Sequence, residues 1–143
     1  MDPVKVLLVD DEEEFTKTLS ERMEARGLKV RTASSGPAAL ELLKGMSFDA
    51  IVLDMMMPGM DGIETLRRIR ELDASLQIIL LTGRGDIQKS VEAMKLGAMD
   101  FLEKPVDLGK LMEVIRAAQE RKRGLDRERT QKSIDDILDS KGW

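Results

Sequence analysis

Four polar positions stand just beyond four apolar runs, and their types could together carry phosphoryl chemistry. Asp10-Asp11 follows Val4 to Val9, Asp54 follows Ile51 to Leu53, Thr82 follows Ile78 to Leu81, and Lys104-Pro105 follows Phe101-Leu102. Carboxylates crowded together repel one another and disfavour ionisation, so an empty acidic pocket invites a hard divalent cation. Magnesium suits such a place, because it keeps several waters and completes its shell with phosphate oxygens. An ionised Asp54 can then attack phosphorus in line, while the cation and the Lys104 ammonium offset charge on the transferring group.

The elements that must position these residues follow from the pattern of apolar side chains. Val4 to Val9 is a near-continuous apolar run, as in a strand covered on both faces. From Glu12 to Arg26, Phe15, Leu19 and Met23 fall on one helical face, with Glu12, Glu13 and Glu14 where the helix dipole favours negative charge. Gly27 ends that helix. Lys29 to Ala33 reads as a strand, Gly36-Pro37 opens a helix, Ala50 to Leu53 is a third strand, and Pro58-Gly59 turns into a helix from about Gly62 bearing Ile63, Leu66 and Ile69. Ile78 to Leu81 is a fourth strand. Ile87, Val91 and Met94 then recur at helical spacing until Gly97, Asp100 to Glu103 is a fifth strand, and a last helix begins near Asp107 with Leu108, Leu111 and Ile115 inward.

Strands alternating with amphipathic helices predict an α/β fold, a five-stranded parallel sheet of order 2-1-3-4-5 with helices on both faces. Right-handed crossovers place every strand's carboxyl end on one edge, and ligands bind there where the strand order reverses. Strands one and three flank that reversal, so the acid pair and Asp54 should face each other. Taken singly, each residue has a plainer reading. Asp10-Asp11 could cap a helix, Asp54 and Thr82 could cap turns, and Lys104 could be a solvated lysine. None of these explains why all four converge on one edge.

Composition removes several functional classes. With no cysteine and no histidine among 143 residues, thiolate and imidazole metal sites, a Ser-His-Asp triad and a phosphohistidine on this chain are ruled out. A phosphoryl group must therefore come from another molecule. The net charge of -4 argues against direct nucleic-acid binding. The sequence shows neither a signal-like start nor a membrane-length apolar run, and it reads as cytoplasmic.

LLVDDEEEF, IVLDMMMPGMDG, ILLTGRGDI and AMDFLEKP resemble, in order, the motifs of the receiver domain of two-component response regulators, over roughly residues 4 to 120. The LTGRGDI stretch is most similar to receivers of the nitrogen-regulation and nitrogen-fixation type. The resemblance implies a flavodoxin-like receiver fold with Asp54 as phosphoacceptor, Asp11 as a direct Mg2+ ligand, Asp10 as a ligand through water, and the backbone carbonyl of Met56 as a further ligand. It implies that Thr82 and Lys104 contact the phosphoryl oxygens, that Thr82 and Phe101 form a switch, and that the Lys104-Pro105 bond is cis. Met56 and Arg84 stand where the family tunes the lifetime of the acyl phosphate. Its implied partners are a sensor histidine kinase or histidine phosphotransfer protein and an unidentified downstream target. Such a chain is a signalling domain that assists its own phosphorylation rather than an enzyme.

Competing motifs are weaker. Gly83 to Ser90 matches a phosphate-binding loop except that Gln88 replaces its second glycine. A haloacid-dehalogenase-like phosphatase needs an aspartate two residues after its nucleophile, where this chain has Met56. Arg84-Gly85-Asp86 spells an adhesion tripeptide, without a receptor in a cytoplasmic setting. The Met55 to Met57 run and Met60 fit loop packing better than a metal site, since thioethers suit soft copper. The remaining alternative is a phosphorylation-independent interaction module of the same fold.

Residues 1–123 read as the receiver and 124–143 as a helical or disordered tail with no output domain. In that tail Ser133 is a candidate cap for a short turn carrying Ile134, Ile137 and Leu138, and Gly124 is expected to weaken the preceding helix. The chain would act by docking or as a relay, or be a fragment of a longer regulator. A phosphorylation-dependent homodimer through this end is a further expectation.

Overall fold

The computed structural model describes residues 3–83 and 86–140. The elements are β1 (Lys5–Val9), α1 (Glu13–Ala25), β2 (Lys29–Ala33), α2 (Gly36–Gly45), β3 (Ala50–Asp54), α3 (Gly62–Leu72), β4 (Ile78–Thr82), α4 (Ile87–Lys95), β5 (Asp100–Glu103) and α5 (Leu108–Ser140). The strands form one parallel sheet in the order β2-β1-β3-β4-β5, as the alternation of strand and helix patterns predicts. Arg84 lies outside the described residues.

Strands β1, β3 and β4 are apolar almost throughout because both of their faces are covered. Alternate residues feed two cores. Leu7, Val9, Ile51, Leu53, Ile78 and Leu80 meet residues of α2, α3 and α4 on one face. Val6, Leu8, Val52, Ile79, Leu81 and Leu102 meet Leu19 and Met23 of α1 and Leu111, Met112, Ile115 and Ala118 of α5 on the other.

Helix starts are set by local chemistry. Ser35 caps α2 by accepting from the Ala38 N–H at 3.2 Å, and Pro37 follows in the first turn. Asp61 caps α3 by accepting from the Glu64 N–H at 2.9 Å. Gly27 and Gly97 take φ of 91° and 105°, the left-handed conformation that ends α1 and α4.

One helix face is placed by the structure, and one expectation changes. The apolar spacing of Ile87, Val91 and Met94 marks α4 correctly as a helix, but these side chains are 68%, 48% and 39% exposed, while Ser90 and Ala93 face the interior. Ser133 is not a cap, because α5 runs unbroken through Gly124 to Ser140 and the Ser133 hydroxyl donates back to the Arg129 carbonyl at 3.1 Å. A glycine costs a helix only about 1 kcal/mol. Against that cost stand i,i+4 pairs of Lys122 with Asp126 and Gln131 with Asp135, both at 3.0 Å, and a tie from Arg129 to Asp73 at 3.4 Å.

Candidate functional site

Sheet register brings the polar residues together. Val9 of β1 lies beside Leu53 of β3, so Asp10 and Asp54, each one step further, are neighbours. Thr82 of β4 lies beside Glu103 of β5, which sets Lys104 one step past the same edge. Asp10, Asp11 and Asp54 offer carboxylate oxygens all within 4.8 Å of one another. Asp10 and Asp54 are buried, at 2% and 4% exposure, while Asp11 is exposed.

The acids are only partly engaged in shaping the backbone. The residue capping α1 is Glu12, whose side chain makes no capping bond, so neither acid of the pair occupies the usual cap position. Asp10 Oδ1 accepts from the Glu12 N–H at 3.0 Å, and Asp54 Oδ1 accepts from the Met56 N–H at 3.3 Å. Each of these carboxylates has further lone pairs. A set of three carboxylates, all oxygen donors, one of them solvent-facing, could hold a hard cation such as Mg2+.

Lys104 answers the acids. Its Nζ lies 3.1 Å from Asp10 Oδ2, 3.5 Å from Asp54 Oδ1 and 3.8 Å from Glu12 Oε1, and 4.4 Å from the centre of the Phe15 ring. Burial, reinforced by the charge on Asp10, pushes the Asp54 carboxyl up to about 6, against the opposing pull of Lys104 and the Met56 N–H. Burial by itself would lower the Lys104 ammonium. The hydrogen bond it donates to Asp10 and the charges of Asp54, Asp10 and Glu12 outweigh it and hold the pKa above its ordinary value. The pocket thus keeps a full positive charge beside a carboxylate that is reluctant to ionise.

The remaining residues surround this centre. Thr82 is buried and its hydroxyl donates a long bond of 3.5 Å to the Leu102 carbonyl. Phe101 is half-buried, packed against the core on the α2, α3 and α4 face. Met56 is 56% exposed, and the Lys89 ammonium of α4 lies 3.8 Å from its sulfur. The Lys104–Pro105 peptide is cis.

Three contacts were not legible in the motif pattern. Glu12 reads in sequence only as a charge favoured by the helix dipole, and Phe15 only as part of the α1 apolar face, yet both reach Lys104. Their i,i+3 spacing on the first turn of α1 is the signal that places them side by side. Lys89 has no such signal.

The sequence and fold have relatives among known proteins. The transcriptional regulatory protein FixJ of Bradyrhizobium diazoefficiens is 39% identical over 113 residues, covering 79% of this chain and 55% of that protein. The C4-dicarboxylate transport transcriptional regulatory protein DctD of Rhizobium meliloti is 40% identical over 121 residues, covering 82% of this chain and 26% of that protein. The chain thus spans from about a quarter to just over half of the length of these curated relatives. A response regulator receiver domain protein from Clostridium thermocellum superposes with a TM-score of 0.82 at 35% identity, over 85% of this chain and 98% of that one. The response regulator receiver domain pattern itself matches residues 6–116, a stretch that contains every acid of the cluster as well as Thr82 and Lys104. With that match, and with FixJ-like relatives among its neighbours, the chain belongs to the receiver domain family of two-component response regulators, in its nitrogen-fixation-like subgroup.

Proposed function

We propose that this chain accepts a phosphoryl group from a phosphohistidine of a sensor histidine kinase or histidine phosphotransfer protein onto Asp54. The observation that carries this reading is the juxtaposition of Asp10, Asp11 and Asp54 with the Lys104 ammonium, which bridges Asp10 and Asp54 on the buried sheet edge. In the transfer, an Asp54 oxygen forms a bond to phosphorus while the bond from phosphorus to the donor imidazole nitrogen breaks. The imidazole leaves with that electron pair. Lys104 offsets charge on the phosphoryl oxygens, and the Thr82 hydroxyl donates a hydrogen bond to one of them. Asp11, Asp54, the Met56 carbonyl and, through a water, Asp10 would hold Mg2+, which when bound would further neutralise the phosphoryl charge. The chain assists its own phosphorylation and dephosphorylation, but its role is that of a signalling domain.

The new phosphoryl charge draws Thr82 inward from its long bond to Leu102, and the half-buried Phe101 ring moves into the vacated space. That changes the surface formed by α4, β5 and α5, which a downstream protein reads. Met56 and Arg84 set how long the acyl phosphate lasts. Residues 1–123 make the receiver, and residues 124–143 a segment that supports phosphorylation-dependent pairing of two chains. The setting is the cytoplasm, and among the described residues no helix is long and apolar enough to cross a membrane.

The decisive test is intact mass after incubation with acetyl phosphate. The wild type gains one phosphoryl group with Mg2+ and none with chelator, and Asp54→Ala gains none. A phosphorylated Asp54→Ala would overturn the assignment.

A further inference from the structure

Lys104 carries a flexible four-carbon stem, so something must hold its ammonium over Asp54. Its acidic contacts are ill-suited to that task. Asp10 and Asp54 belong to the cluster that would hold a cation, and Glu12 is largely solvent-exposed. The Phe15 ring differs from all three. Its centre lies 4.4 Å from the Lys104 Nζ, and the ring is packed against the core on the α1 and α5 face, the face fed by Leu102 two residues before Lys104. A ring face attracts a cation through its quadrupole without neutralising it and without offering a lone pair to a metal.

We propose that Phe15 is a positioning residue that holds the Lys104 ammonium over the phosphoacceptor through its ring face. This rests on the reading of Asp54 as phosphoacceptor and adds to it. A cation drawing on Asp10 and Asp54 would weaken the two shortest charged contacts of Lys104 and leave the ring in place. Its charge then remains available to the phosphoryl oxygens. Glu12, at i-3 from Phe15 on the same turn of α1, draws the ammonium toward solvent, and the ring opposes that pull.

The test replaces Phe15 by mono-, di- and trifluorinated phenylalanines, which withdraw electrons from the ring with little change of shape, and by Phe15→Leu and Phe15→Tyr. With saturating Mg2+, phosphorylation by acetyl phosphate slows stepwise along the fluorine series, by about three- to tenfold overall, while Mg2+ affinity measured by calorimetry stays constant. NMR supplies a second readout that is independent of phosphorylation. The Lys104 Hε protons are shifted upfield by the ring current, return to ordinary values in Phe15→Leu, and move upfield again in Phe15→Tyr. A flat fluorine series, or Lys104 signals unmoved in Phe15→Leu, overturns the proposal. A wild type that takes no phosphoryl group removes the phosphoacceptor reading, and the NMR series still decides whether the ring holds Lys104.

Discussion

At the scale of single residues, the site stores an electrostatic conflict that the fold tolerates and ligands relieve. Asp54 is buried beside Asp10, and its carboxyl is pushed up to about 6 from an ordinary 3.8. A carboxyl whose folded pKa is raised binds protons more readily folded than unfolded, so stability falls as pH rises through the window from about 4 to 6. Asp54→Asn should therefore stabilise the chelator-treated protein at pH 7.5 by about 1–3 kcal/mol, an advantage that disappears near pH 4. Urea denaturation at both pH values checks it, and a stabilisation of equal size at each would contradict this origin. Lys104 sits in the same conflict as a competitor for the carboxylate oxygens rather than a metal ligand. Lys104→Ala should nearly abolish the response to phosphorylation yet leave Mg2+ affinity unchanged or slightly higher, whereas Asp11→Ala should weaken Mg2+ binding by at least about tenfold. Calorimetric titration of the two variants separates the roles.

At the scale of elements, the loop after β3 is held by how closely α3 approaches it. A Cβ on Gly62 would stand 2.6 Å from the Met55 Cα and 2.8 Å from the Asp54 carbonyl oxygen, so the first turn of α3 lies directly on the segment carrying Asp54 and Met56. The Gly62 N–H also donates to the Met55 carbonyl at 3.1 Å. Gly36 is similarly constrained, but by Thr65 and Met60 at the α2–α3 contact. Both alanine variants should lose about 1–3 kcal/mol in urea denaturation, since backbone and side chains must shift to admit the methyl group. Only Gly62→Ala should also weaken Mg2+ binding, and equal Mg2+ affinities in the two variants would count against this role for the loop.

At the scale of the whole molecule, α5 reaches far past the sheet. Its 33 residues span about 50 Å, against roughly 17 Å for a five-residue strand. Arg129 on this extension is tied to Asp73 at the end of α3, at 3.4 Å. Asp73 is itself held below its ordinary pKa despite burial, because the Ser75 N–H and hydroxyl and the Arg129 guanidinium favour its charged form. The extension ends in exposed Ile134, Ile137 and Leu138, recurring at i, i+3 and i+4. If this face pairs two chains, beryllofluoride should raise the sedimentation coefficient of the full chain and raise it less for a chain ending at 123. The same coefficient for both chains in both conditions would leave the extension without a part in self-association.

The sequence by itself determined the sheet, its order and the edge on which the polar residues meet, because strand burial on two faces, helix periodicity and right-handed crossovers are local or topological properties. It also determined that Asp10, Asp54 and Lys104 would be neighbours, since each stands one step beyond an apolar run that sets the register of its strand. The approach of Phe15 and Glu12 to Lys104 depends on the seating of α1 over the sheet, which no single segment specifies. The outward turn of Ile87, Val91 and Met94 was equally hidden, because periodicity marks a face without saying which face the neighbours cover. The Arg129–Asp73 tie, which steadies α5 beyond Gly124, joins residues 56 positions apart, whereas the i,i+4 pairs along that helix are legible in the sequence itself. Tertiary structure alone decided these features, since each arises where two elements meet in space and the physical terms that settle it, burial and Coulomb attraction, act at distances the chain order does not encode.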